Sequence, residues 1–243
     1  MGRVEGKVCI VTGGALGLGK ADVEALAREG AQVIITDVNV DAGRATAEEV
    51  GHGSVFVEHD VRDEEAWKQL IAYCVSDFGG LHVLVNNAGV IKIEDIEHAT
   101  LENWRFVNAV NVEGTFLGVK HAIPAMRASG SGSIINVSST AAILGMPDGP
   151  AYTASKGAVQ ALTRAIAVHC MRKGDPIRCN AIYPHLAESP MSIGANMGVP
   201  LFSATGVGNA VLFLASDESS DLNGTFLNLD HGTACLVGEV PRR

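Results

Sequence analysis

Tyr152 and Lys156 stand four residues apart in the stretch AYTASKGA, Ala151 to Ala158, and on a helix that spacing puts both on one face. An ammonium beside a phenol oxygen favours phenolate over phenol and lowers a pKa that is about 10 when unperturbed. A tyrosine so tuned can exchange protons with an alcohol near neutral pH. Ser139 lies thirteen residues earlier in NVSST, where its hydroxyl could orient or polarise a carbonyl. The three make an acid/base set, but Tyr-x-x-x-Lys is common chance spacing, so its meaning rests on its surroundings.

A second chemistry sits near the start of the chain. TGGALGLG, Thr12 to Gly19, joins an apolar run to a helical pattern. Gly13, Gly17 and Gly19 allow a tight turn and let the backbone approach a pyrophosphate at the helix N-terminus, where free amides and the helix dipole favour anions. The spacing is GxxxGxG rather than GxGxxG. Asp37 ends the second apolar run, eighteen residues past Gly19. This is close to the roughly 20-residue offset at which a carboxylate accepts hydrogen bonds from an adenosine ribose. Such a carboxylate repels a 2′-phosphate. With Ala15 and Leu16 in the turn and no arginine beside Asp37, NAD is expected over NADP, Lys20 being the one nearby cation that opposes this. Asp60, in EHDV, either accepts from the adenine amino group or caps the helix beginning near Asp63. In NNAG, Asn86 to Gly89, asparagine amides can tie strand ends together. Leu16, Leu18, Val61, Asn87, Ala88 and Gly89 complete the expected cofactor wall.

Seven short runs must position these groups: KVCIVT from Lys7, QVIITD from Gln32, SVFVEHD from Ser54, HVLVNNAG from His82, SIINVSS from Ser133, IRCNAIYP from Ile177 and TFLNLD from Thr225. Their near-continuous apolarity predicts strands covered on both faces, and Ala/Leu/Glu-rich segments at helical spacing alternate with them. That alternation argues a seven-stranded parallel sheet with right-handed crossovers and helices on both faces. The expected fold is a single doubly wound, Rossmann-type α/β domain over residues 1–243, binding ligands beyond the carboxyl ends of its strands.

Composition narrows the function. Of 243 residues, 47% are apolar and 19% charged, too much core and too little charge for disorder. A formal charge of −9 without any basic block argues against nucleic acid and acidic membranes as partners. Five scattered cysteines, Cys9, Cys74, Cys170, Cys179 and Cys235, lack CxxC spacing, which predicts a reduced, cytoplasmic protein with neither metal site nor catalytic thiol. No signal peptide or membrane span is expected.

TGGALGLG, NNAG, NVSS and YTASK, in this order, resemble the short-chain dehydrogenase/reductase family over about Lys7 to Gly232. The resemblance implies a catalytic tetrad of Asn111, Ser139, Tyr152 and Lys156. Tyr152 would be the acid/base, Ser139 the substrate hydrogen-bonder, Lys156 the cation that also holds the nicotinamide ribose, and Asn111 the anchor of a proton-relay water. Asn111 is preferred to Asn108 because it aligns with the family's N-x-x-G helix, here Asn111 to Gly114, and the thirteen-residue interval prefers Ser139 to Ser138. Homotetramers, or homodimers, are implied as well. The helix through VQALTRAIAVHC agrees, being apolar on more than one face, and the tail after Gly232 either joins that interface or frays.

The pattern departs from the family after the sixth strand. Where such enzymes read Pro-Gly and then a threonine for the nicotinamide carboxamide, this chain reads YPHLAESPM. Pro184 keeps the frame, Ser189 supplies the hydroxyl and His185 replaces the glycine; its ring is expected to turn to solvent rather than act as an added proton donor. Residues 185–205 are expected to form a short, mobile substrate loop, with Gly194, Gly198 and Pro200 breaking any helix. Met191, Ile193, Met197, Leu201 and Phe202, with Ile91, Ile93, Ile143, Leu144 and Met146, predict a greasy pocket for a bulky apolar secondary alcohol or its ketone, steroid or cyclic terpenoid. HDV, FLASDESS and SPM look closest to the bacterial hydroxysteroid dehydrogenase branch. Two alternatives stand beside this reading: an NADPH-dependent 3-oxoacyl reductase of the same family, and a nucleotide-binding regulatory protein without turnover.

Overall fold

Val8 and Ile10 pack on one side of the first strand, Cys9 and Val11 on the other, and all four are buried. That is the behaviour of a strand covered on both faces, and it repeats across the sheet. The computed structural model describes residues 2–195 and 201–235. In chain order its elements are β1 Val8–Thr12, α1 Gly17–Arg28, β2 Gln32–Asp37, α2 Val40–Val50, β3 Val55–Glu58, α3 Glu64–Phe78, β4 Val83–Asn86, α4 Leu101–Asn108, α5 Gly114–Ala128, β5 Gly132–Val137, α6 Ala141–Leu144, α7 Pro150–Lys173, β6 Ile177–Pro184, α8 Pro190–Ala195, α9 Ala204–Ala215 and β7 Phe226–Leu229.

The seven expected strands form one sheet in the order β3-β2-β1-β4-β5-β6-β7, parallel throughout. One core lies between the sheet and α1 and α9, around Leu26, Ile35, Val85 and Val211. The other lies under α3, α5 and α7, around Ile10, Trp67, Met126 and Ile166. The direction of winding reverses between β1 and β4, so the loops after these two strands part and leave a crevice at the carboxyl edge.

Local chemistry sets several boundaries. Asp63 caps α3, accepting from Glu65 N at 2.8 Å and Ala66 N at 3.1 Å, so the capping role left open for Asp60 belongs to Asp63. Between α4 and α5 the helix widens into a π-helical turn, Ala109–Glu113, which carries Asn111. Gly114 follows because α5 begins against Val61: a Cβ at Gly114 would lie 2.7 Å from the valine's side chain. In the 185–205 segment the structure differs from expectation. Pro190–Ala195 is a helix that includes Gly194, since Pro190 suits its start and Ser189 Oγ accepts from Ser192 N at 3.2 Å. Gly198, Pro200 and Met197 lie outside the described residues, as do the side chain of Ile193 and the tail beyond Cys235.

Candidate active site

The glycine turn is built by close approaches. A Cβ on Gly13 would stand 2.9 Å from Ala88 Cα, and one on Gly19 would overlap the Gly13 carbonyl. Gly13 and Gly17 have φ of +62° and +57°, where a side chain is strained. The helix that follows has no side-chain cap at Leu16 and no acidic residue in its first turn, so its first amides remain available to an anion. Asn87 Nδ2 donates to the Thr12 and Gly13 carbonyls at 2.8 and 3.0 Å, while Thr12 Oγ1 accepts from the amides of Asn87 and Ala88. Asn86 donates to Asn136 at 2.9 Å, so the NNAG amides do tie β1, β4 and β5 together. Asp37 accepts from Ala15 N and Asn39 N. These residues fit a dinucleotide: a turn stripped of side chains, a bare helix N-terminus and a carboxylate at the end of the next strand.

A cavity of about 590 Å³ runs from this turn to the opening of α7. Gly13, Leu16, Gly17, Leu18, Gly19, Asp37, Asp60, Val61, Asn87, Ala88, Gly89, Ser139, Tyr152, Lys156, Pro184 and Ser189 all line it. Ser138 and Ser139 both line it, but the Ser138 hydroxyl is buried and committed to the Lys156 carbonyl. Lys156 is 4% exposed; its Nζ donates to Val137 O at 2.8 Å and lies 5.5 Å from the centre of the Tyr152 ring. Burial pushes the lysine down to about 8. Burial also raises the Tyr152 pKa, opposed by the Ser139 hydroxyl. The structure therefore does not show the lowered phenol expected from the spacing: the ammonium donates to the backbone, and burial of the phenol outweighs the hydrogen bond with Ser139.

Asn111 does not reach the cavity wall. Its amide is consumed in support: Oδ1 accepts from Val90 N at 2.8 Å, and Nδ2 donates to Val90 O and Ser155 Oγ at 3.0 and 2.9 Å. Asn108, its competitor, donates instead to Trp104 O on its own helix. Asp60 is held by Arg62, whose guanidinium lowers the carboxylate's pKa and whose Nε donates to it at 2.9 Å.

His185 is not turned to solvent. The half-buried ring lines the cavity, with Nδ1 2.8 Å from Thr140 Oγ1. Of the apolar residues expected to face the pocket, Ile91, Leu144, Met146 and Met191 do so. Ile93, Ile143, Leu201 and Phe202 do not; Phe202 is pulled onto His231, ring centres 4.1 Å apart, and pairs in backbone with Leu186 and Glu188.

Residues 7–198 match the family described as short chain dehydrogenase. The chain belongs to the short-chain dehydrogenase family. The chain is 40% identical to the 3-beta-hydroxysteroid dehydrogenase of Comamonas testosteroni over 94% of its own length and 96% of the relative's. It is also 40% identical to the trans-4-hydroxycyclohexanecarboxylate dehydrogenase of Sinomonas cyclohexanicum, over 95% and 93%. An NADP-dependent (R)-specific alcohol dehydrogenase of Lentilactobacillus kefiri is 36% identical over 95% and 97%. The crystal structure of levodione reductase superposes with a TM-score of 0.90 at 29% identity, covering 96% of this chain and 99% of that one. Short-chain dehydrogenases are oxidoreductases that work with a nicotinamide cofactor.

Several supporting groups of the site carry no motif signal of their own: Thr12, Val90, Thr140 and Ser155. Each sits inside or beside a quoted motif, but its role is a hydrogen bond to a residue far away in sequence, which spacing does not encode. Lys20, the cation that could offset Asp37, is drawn away by Glu49 at 2.6 Å. Among the described residues no helix is long and apolar enough to cross a membrane.

Proposed function

We propose that this dehydrogenase transfers hydride between NAD and a bulky, apolar, cyclic secondary alcohol or its ketone, with Tyr152 as proton acceptor and donor. The observation that carries the reading is the meeting of Ser139, Tyr152 and Lys156 with the glycine turn on one cavity wall. Bound NAD supplies the hydride acceptor or donor. Tyr152 takes the hydroxyl proton on oxidation and returns it on reduction, and Ser139 holds the same substrate oxygen by its hydroxyl. Lys156 supplies the buried positive charge that offsets the phenolate, and its ammonium is suited to hold the nicotinamide ribose. Asn111 keeps the Val90 segment and Ser155 in place, the support from which a relay water would be anchored. Pro184 and Ser189 frame the nicotinamide end.

NAD rather than NADP is supported by Asp37, whose partners are backbone amides rather than a cation, and by the pairing of Lys20 with Glu49. A ring substrate is supported by the names of the steroid and cyclohexane relatives and by the apolar lining at Ile91, Leu144, Met146 and Met191. Residues 1–243 act as one catalytic unit with 185–205 as its substrate loop. Homotetramers are supported by Phe116 on α5 and by Val168 and Met171 on α7, apolar yet exposed in the single chain. A reducing cytoplasm suits the free cysteines. The test is NAD reduction with a panel of steroid and cyclohexanol-type alcohols, repeated with Tyr152→Phe; unchanged turnover in the variant removes the assigned role.

A further inference from the structure

His185 extends β6 at the carboxyl edge, where its N–H donates to Leu229 O at 3.1 Å and the Thr140 N–H donates to Pro184 O at 3.2 Å. Two strand ends thus hold the imidazole against the Thr140 hydroxyl, one residue from Ser139, in the cavity that Tyr152 also lines. The position of the ring proton follows from counting donors and acceptors. Thr140 is 3% exposed, and among the described residues its hydroxyl has no partner except His185 Nδ1. Were Nδ1–H to donate to Oγ1, the threonine proton would have no protein acceptor among the described residues, a loss comparable to a broken hydrogen bond. The reverse arrangement leaves nothing unpaired: Thr140 donates to Nδ1, and the ring proton sits on Nε2.

Nε2 has no protein partner among the described residues, and the ring that carries it lines the cavity. Burial lowers the His185 pKa from its ordinary value, opposed by Asp230, which keeps the ring neutral in the neutral pH range. Leu144, Met146, Leu186 and Met191 line the same cavity with apolar side chains, and the Ser189 and Ser192 hydroxyls that also line it are bonded to each other. A single N–H donor in such a wall discriminates sharply, because a hydrogen bond made there replaces water that an apolar substrate would displace without compensation.

We propose that His185 Nε2–H is a specificity-determining donor that binds a second oxygen, carbonyl or hydroxyl, on the ring of the cyclic substrate, apart from the carbon oxidised at Tyr152. The assignment rests on the dehydrogenase reading above. It names the substrate class more narrowly: ring alcohols and ketones carrying two oxygens.

The experiment compares kcat/KM with NAD for cyclohexane-1,3- and 1,4-diols against the matching methylcyclohexanols, in the wild type, His185→Phe and Thr140→Val. Using a ratio within each variant cancels any loss of folded protein. One diol is expected to be favoured roughly tenfold in the wild type, with the ratio falling toward one in His185→Phe and part of the way in Thr140→Val. An equal ratio in wild type and His185→Phe, or a wild type that favours the methylated ring, overturns the assignment. A second readout needs no turnover: long-range ¹⁵N–¹H spectra of histidine-labelled protein, with the His185 signal identified by its loss in His185→Phe. The Nε2–H tautomer, shifting on addition of cyclohexane-1,4-dione, is expected; an Nδ1–H tautomer or an unmoved signal overturns the assignment. If no ring alcohol is oxidised at all, the dehydrogenase reading fails, while the spectra still decide the role of the imidazole.

Discussion

The Lys156 ammonium donates to the Val137 carbonyl at 2.8 Å and lies 5.5 Å over the ring of Tyr152, so the site stores its cation against backbone and aromatic face. Storage in a nearly fully buried place disfavours the charge, and the lysine is pushed from 10.5 to about 8. Between those two values the folded chain holds fewer protons than the unfolded one, so stability from this group rises with pH and is lost as pH falls to 8. Lys156→Met should therefore stabilise the ligand-free protein at pH 7, on the order of 2–3 kcal/mol, with the gain vanishing above pH 10.5 while turnover is lost. Urea melts at pH 7 and pH 10.5 test this; a destabilised variant at pH 7 contradicts it.

Tyr152 carries the matching expectation. Because burial raises its pKa above 10 in the ligand-free chain, the phenolate absorbance that disappears in Tyr152→Phe should emerge only in alkaline solution. A component titrating near neutral pH without cofactor would show that the lysine acts on the phenol before any ligand arrives. With both ligands present, Tyr152→Phe should cost roughly 10²–10⁴ in kcat.

Asp37 should decide the cofactor. Its carboxylate is held by the Ala15 and Asn39 amides with no cation in contact among the described residues, so Asp37→Ala removes a negative charge that a 2′-phosphate would meet. The ratio of kcat/KM for NADP to that for NAD should rise by about tenfold or more. A wild type that already prefers NADP removes the basis of this prediction.

Asp22 is fully buried in α1, and neither carboxylate oxygen has a partner among the described residues. Desolvation raises its pKa well above 3.8, so its favourable contribution is complete below pH 3.8 and is lost as pH rises through the folded-state value. Asp22→Thr, close in volume and able to bond the carbonyl one turn back, should stabilise the protein by about 1–3 kcal/mol at pH 7 and by less near pH 4. Equal gains at both pH values would contradict a titrating carboxyl.

Ser155 links Asn111 to α7, accepting from Asn111 Nδ2 at 2.9 Å and donating to the Tyr152 carbonyl at 2.7 Å. Ser155→Ala leaves a buried amide proton without an acceptor, a cost of about 1–3 kcal/mol in thermal or urea unfolding. Asn108→Ala, which loses a bond to its own helix alone, should cost less than half as much.

What the amino-acid sequence determined by itself was whatever depends on neighbours along the chain. Seven apolar β-branched runs, the glycines that turn β1 into α1, Asp37 at a strand end and Tyr152 one helical turn from Lys156 are all signals within about twenty residues. They were sufficient for seven parallel strands in a doubly wound sheet and for most of the residues that meet at the carboxyl edge, because parallel crossovers of one hand permit few other arrangements. Side-chain orientation was decided only in the tertiary structure. His185 turns to Thr140 across 45 positions, Lys156 binds Val137 rather than the phenol, Asn111 braces Val90 and Ser155 behind the wall, and Phe202 leaves the pocket for His231. Each outcome is a competition among desolvation, hydrogen-bond satisfaction and packing between distant segments. Those partners exist only once the sheet has assembled.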